Sequence, residues 1–338
     1  MNGPIDIVIP WVSGTDPEWL TQKKHYANAG NYPSEGTKDY RFESWDNLHL
    51  LFRAIERFMP WYHKIFLVTC GEVPDFLWRE HKRLRLVSHA DYIPAEYLPT
   101  FNTNTIELNL HRIADLSENF VLFNDDLFPL QDTPEEYYFR DNVPCDEAIE
   151  SVIVPHGGPT DKLCYNAMFA NNIRIVNRHF NKGEIVRKNH EKWFHAGYGE
   201  DNLLRNKNLQ YWHHFTGFRN PHMAAPYQKS CFQTLWEQEP EMLDTASRNK
   251  FRNYTDVSDY AVRYWNLCTG HFIPRKTQGR QFAVTMDNYH EAVQLIRTQT
   301  TPMISISEVC TPEEFPVIKQ AINQALLEIL PEKCSFEK

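Results

Sequence analysis

No stretch of this 338-residue chain approaches the roughly 18–20 consecutive apolar residues that a bilayer-spanning helix needs. No block of five or more like charges interrupts it, and 35 Lys+Arg stand against 44 Asp+Glu for a net charge of −9. That balance lacks the basic patch of a nucleic-acid binder. There is no G-x-G-x-x-G and no Walker A loop, so no standard nucleotide fingerprint is met. There is no C-x-x-C either. The seven cysteines are odd in number and widely scattered, which fits neither a zinc site nor a disulfide framework and suits a reducing compartment. The opening "MNGPIDIVIPWV" has no basic n-region and too short an apolar run for a signal peptide, so a bacterial-type cytosolic protein is expected. Fixed-period repeats and low-complexity tracts are absent as well.

What is present is an ordinary globular balance, rich in large rings. At 42% hydrophobic and 23% charged, the chain can bury a core without disulfide staples. Aromatics reach 14%, which serves a ring-rich core or a surface that stacks sugars or bases.

The first 130 residues alternate between two periods. Ile5–Val12 is a short apolar run broken by Gly14, Asp16 and Pro17, and it reads as a buried strand and a loop. Turn formers from Gly30 to Lys38 read as a loop. Leu48, Leu51, Phe52, Ile55, Phe58 and Met59 recur at helical spacing, with Ser44 as the expected cap and Pro60 as the stop. Strands are expected at Lys64–Thr69, Leu84–Ser88 and Phe120–Asn124, with a helix through Ile106, Leu110, Ile113 and Leu116 between the last two. That order predicts an α/β fold with a twisted, mostly parallel sheet and helices on both faces. Residues 160–290 read as helical, and a last helix is expected over Pro312–Leu330 after "MISISEV".

Ligands of such sheets sit at the carboxyl ends of the strands. There, in "VLFNDDLFPL", two adjacent acids end an apolar run. Asp125 and Asp126 read either as a turn or cap, or as carboxylates for Mg²⁺ or Mn²⁺ bridging to phosphates. Gly14 and Asp16 follow the first strand, where a glycine lets backbone N–H groups approach a nucleotide and Trp11 can flank a base; the plain alternative is a turn. Asn102, Thr103 and Asn104 are capping types. Glu107 and His111 are four apart, which would put them on one helix face, as an exposed pair or facing the cleft. His222 in "RNPHMAAP" can move a proton near neutral pH, and Arg252 in "NKFRNYTDVSDY" can hold a phosphate by two bonds.

Taken together, "IDIVIPWVSGTDPEW", "RFESWDNLHLLFRAIERFMPWYHKIFLVTCGEVPDFL" and "LPTFNTNTIELNLHRIADLSENFVLFNDDLF" resemble the successive signature blocks of the Stealth family. "NPHMAAPY" and "KFRNYTDVSDYAVRYWNL" resemble its later blocks. These are bacterial hexose-1-phosphate transferases of capsule and exopolysaccharide synthesis, related to the catalytic subunit of the lysosomal-enzyme N-acetylglucosamine-1-phosphotransferase. The resemblance implies a Rossmann-like, GT-A-like core over residues 1–130, a variable insertion over 131–215, a helical segment completing the site over 216–290 and a C-terminal strand and helix over 291–338. It also implies a UDP-sugar donor, Mg²⁺ or Mn²⁺ on Asp125 and Asp126, and catalytic roles for Glu107, Asp126, His222 and Arg252. Asp6, Trp11, Gly14, Asp16 and Asn102 would meet the nucleotide. The acceptor would be a glycan or lipid-linked oligosaccharide, reached from the cytoplasm or from a peripheral place at the inner face of the plasma membrane. One departure is "IVIPWVSG", where the family commonly has Tyr-Thr and Asn around this Trp. A conventional glycosyltransferase releasing UDP and a non-catalytic carbohydrate-binding module are the competing readings.

Overall fold

Five strands build the central sheet. A computed structural model describes residues 2–30, 32–37, 44–155 and 163–338. In chain order its strands are β1 (Ile5–Pro10), β2 (Ile65–Thr69), β3 (Leu84–Ser88), β4 (Asn119–Leu122), β5 (Leu127–Pro129), β6 (Phe139–Arg140), β7 (Val143–Asp146), β8 (Ala225–Gln228), β9 (Ile273–Pro274), β10 (Arg280–Val284) and β11 (Met303–Glu308). β1 to β4 run parallel, and β8 joins β4 antiparallel with Leu122 opposite Ala225. A second sheet sets β10 beside β11 and β11 beside β5. A third joins β6, β7 and β9.

The expected mixed α/β architecture is what forms. The sheet is buried on both faces, which is why its strands read as apolar runs rather than alternations. Ile5, Ile7 and Ile9 of β1 pack with the helices Leu48–Phe58, Tyr289–Thr298 and Phe315–Ile329. Val8 points the other way, into a layer built with Phe66, Phe120, Phe232 and Val262.

Several local expectations change in the fold. Asn47, not Ser44, stands before the helix Leu48–Phe58, and the Ser44 hydroxyl accepts from the Asp46 N–H instead. The helix expected through Leu116 is only Thr103–Leu108, followed by a 3₁₀ turn at Leu110–Arg112. The cause is Asn109: its side-chain amide donates to the Thr105 carbonyl at 2.8 Å, taking the place of the backbone bond that would extend the helix. Glu107 and His111 therefore do not share one helical face. The stretch 160–290 is not all helix, since it supplies β8, β9 and β10. The expected loop at Gly30–Lys38 contains a short helix, Ser34–Thr37, and residues 31 and 38 lie outside the described residues.

Candidate active site

The order β3-β2-β1-β4-β8 takes the chain from β1 through β2 to β3 on one side, with β4 flanking β1 on the other. The sheet therefore opens a crevice between the carboxyl ends of β1 and β4. Beside it, where β4 ends and β8 begins, lies a cavity of about 370 Å³, lined by Glu107, Asn124, His222, Arg252 and Asp259 among others. Each arrives on a different element. The helix Thr103–Leu108 carries Glu107, and the chain leaving β4 carries Asn124. The antiparallel β8 begins where β4 ends, which brings His222 just ahead of it. Arg252 and Asp259 come from the loop before the helix Tyr260–Thr269.

Asp126 reaches this cavity through His222. Its carboxylate stands 3.1 and 3.3 Å from His222 Nε2 and accepts from the Ser305 hydroxyl at 3.3 Å. Burial favours the neutral His222 ring, but the Asp126 carboxylate beside it outweighs burial and raises its pKa above the ordinary value. The ring is about a third exposed, so its charge can meet a ligand.

Below it sits a second carboxyl pair. Glu107 is held well above the usual carboxylate range, first by burial and then by the adjacent Asp259 carboxylate, against an opposing pull from Arg252. Asp259 is raised too, by burial, although the Tyr227 hydroxyl donates to its Oδ2 at 2.5 Å. Burial thus favours the protonated form of both neighbouring acids.

Asp125 is exposed and lines the neighbouring cavities of about 150 and 240 Å³, both shared with Trp11. A further cavity of about 480 Å³ includes Asp16, Trp19, Glu72 and His89. Burial holds the His89 ring neutral, with its pKa pushed down to about 4. These spaces share residues along the ends of β1 to β4 and form a string beside the main cavity.

The other expected site residues divide between direct and supporting places. Asp16 lines its cavity while capping the helix Pro17–Ala29, accepting from the Trp19 N–H at 2.6 Å. Gly14 adopts φ 70°, so its part is to turn the chain out of β1. Two expectations are corrected. Asp6 lies at the start of β1, the far end of the sheet from the cavity. It is fully buried and accepts from the backbone of Lys64 and Ser117, tying the starts of neighbouring strands together. Asn102 caps the helix Thr103–Leu108 through its carbonyl, and its amide donates to both oxygens of Asp256. Nothing of that side chain is left for a nucleotide.

Asp259 and Tyr227 were not singled out from the sequence. Asp259 stands seven residues after Arg252 in the same motif. Asp256 proves structural, held by Asn102, Asn104 and Asn249.

The donors available for a cation are oxygen. Among the described residues no group of three or more His, Cys, Asp or Glu side chains is placed to hold a metal. Mg²⁺ needs no such cage: one or two carboxylates with phosphate oxygens and waters suffice, and Asp125 with Asp126 fit that donor set.

Residues 3–30 match Stealth protein CR1, conserved region 1, and residues 41–146 match Stealth protein CR2, conserved region 2. The capsular polysaccharide phosphotransferase WcwK of Streptococcus pneumoniae is 35% identical over 335 residues, covering 99% of this chain and 98% of that protein. The exopolysaccharide phosphotransferase cps2G of Lactiplantibacillus plantarum is 32% identical over 342 residues, covering 100% and 98%. A solved complex of the galactosyltransferase LgtC with donor and acceptor sugar analogs is 12% identical with a TM-score of 0.35, covering 94% of this chain and 96% of that one.

Proposed function

The chain belongs to the Stealth family of phosphotransferases, and from that premise we propose that it transfers a hexose-1-phosphate, an N-acetylhexosamine-1-phosphate in particular, from a UDP-sugar to a hydroxyl of a glycan acceptor, releasing UMP. The observation that carries this reading is the meeting of Arg252, the Asp126–His222 pair and the Glu107–Asp259 pair at one cavity.

The acceptor oxygen bonds to the sugar-linked phosphorus, and the bond from that phosphorus to the oxygen bridging to UMP breaks. The anomeric bond is untouched. Charge grows on phosphoryl oxygens, so catalysis is mainly positioning and charge stabilisation. Arg252 faces those oxygens with a guanidinium that cannot lose its charge. His222, whose charged form Asp126 favours, donates to them. The acceptor's proton passes to the Glu107–Asp259 pair. Asp125 and Asp126 would hold Mg²⁺ or Mn²⁺, which when bound offsets the charge of the diphosphate. The nucleotide occupies the arm along Trp11 and Asp16.

The test is incubation with a panel of UDP-sugars, Mn²⁺ and a glycan acceptor, reading the nucleotide released. UMP supports phosphotransfer. UDP means that the sugar C1–O bond was broken, and overturns it in favour of glycosyl transfer. No turnover above background favours a binding protein. No helix among the described residues is long and apolar enough to cross a membrane.

A further inference from the structure

The cleft has two unlike ends. Toward the strand ends it is lined by Trp11, Asp125 and the neutral His89. Toward the helix Leu163–His179 it is lined by Tyr165, Met168 and Tyr260. Tyr165 is 41% exposed although it sits in the first turn of that helix. Its ring is not loose, because it stands edge-on to Phe169 with centroids 4.6 Å apart, and Phe169 in turn contacts Tyr260 at 5.8 Å. Gln281 and Ser307 line the same cavity from β10 and β11.

A braced ring face is an apolar platform that costs little entropy to use, and amides or hydroxyls beside it fix orientation. A pyranose has the matching halves: one face of C–H bonds and an edge of hydroxyls. Displacement at phosphorus runs in line, with attacking and leaving oxygens on opposite sides. If the nucleotide leaves along the strand ends, the attacking hydroxyl comes from the opposite end. We propose that Tyr165, braced by Phe169, seats a sugar ring of the acceptor glycan, with Gln281 and Ser307 of the same cavity to meet its hydroxyls. This rests on the phosphotransfer reading only for the direction of the cleft. Tyr165 lies beyond residue 146, where the matched conserved regions stop.

The experiment is saturation-transfer NMR on the full chain with UMP present. The probes are methyl β-glucoside, methyl β-galactoside and methyl N-acetyl-β-glucosaminide. At least one should take up saturation, strongest on the protons of one ring face. Tyr165→Ala should weaken that signal roughly tenfold, the size of one lost ring contact of about 1.4 kcal/mol, and Tyr165→Phe should restore it. UDP-N-acetylglucosamine should bind all three proteins alike. The proposal is overturned if none of the glycosides binds the wild-type protein. It is equally overturned if Tyr165→Ala binds them as well as wild type, or if that variant loses the UDP-sugar instead. Release of UDP in the turnover assay would sink the phosphotransfer reading without changing the binding result.

Discussion

Asp126 and Asp259 are both acids beside the same cavity, yet their neighbours give them opposite tasks. Asp126 keeps a cation beside it. Replacing it with Asn removes the charge that raises His222, and burial then favours the neutral ring. At neutral pH, Asp126→Asn should keep the fold and lose about 10²–10³-fold in turnover, the scale of a lost charge-stabilising donor. The His222 ring resonances should titrate at lower pH than in wild type; an unmoved titration would refute the coupling. Asp259 instead faces Glu107, and burial favours the proton on both. A carboxyl whose pKa rises on folding holds its proton more tightly in the fold. Its stabilising contribution is complete below the unfolded value, near 4.3, and fades as pH rises through the folded one. Glu107→Gln stays neutral throughout and escapes that loss. The melting temperature of Glu107→Gln relative to wild type should therefore climb between pH 5 and pH 8. A constant difference would show that Glu107 is not held protonated. Asp259→Asn should lose about 10²–10⁴-fold in turnover, the contribution of a positioned proton acceptor.

At the scale of elements, the short helix Thr103–Leu108 carries the site because both its ends are fixed. Asn102 caps its start and anchors Asp256, and Asn109 stops it. Asn102→Ala removes a cap worth about 1 kcal/mol and one partner of a buried carboxylate worth about 1.5–3 kcal/mol. Calorimetry should show a loss of about 2–4 kcal/mol, with the UDP-sugar KM unchanged; a raised KM would return Asn102 to the nucleotide. This element marks where the sequence stops being readable. The strands of the first 130 residues were legible because burial on both faces leaves uninterrupted apolar runs. The acids after β4 were legible because they break such a run. The length of the helix was not, since it turns on one side chain competing with its own backbone. Asp259 was not either. Nothing in "VSDY" shows that Glu107, 152 positions earlier in the chain, folds against it. Asp6 misled for a related reason: a buried acid in β1 is visible in sequence, but the end of the sheet it serves is not.

Across the whole molecule, the two ends of the parallel sheet separate chemistry from support. The cavities gather at the strand carboxyl ends. At the other end, Asp6 ties β1 to its neighbours, and the C-terminal segment docks beside residues that precede β2 and β3. Phe336 is fully buried, with ring centroids 4.1 Å from His81, 5.2 Å from Phe52 and 6.3 Å from Tyr62. Glu337 accepts two bonds from Arg53, at 2.6 and 2.8 Å, and that guanidinium also donates to the Leu330 carbonyl. Such a segment stabilises the fold without touching substrate. Phe336→Ala should cost about 3–5 kcal/mol, the usual range for a buried Phe. Glu337→Ala should cost about 3–5 kcal/mol by leaving the buried Arg53 without its carboxylate. Because both changes fall at the end of the sheet opposite the cavity, turnover per folded molecule should match wild type at temperatures well below the melting transition. Denaturant unfolding gives the stability, and active-site titration before the rate assay gives the folded fraction. A variant that is stable but slow would show that the two ends of the sheet are mechanically coupled, and that the C-terminal segment helps to set the geometry around Arg252 and His222.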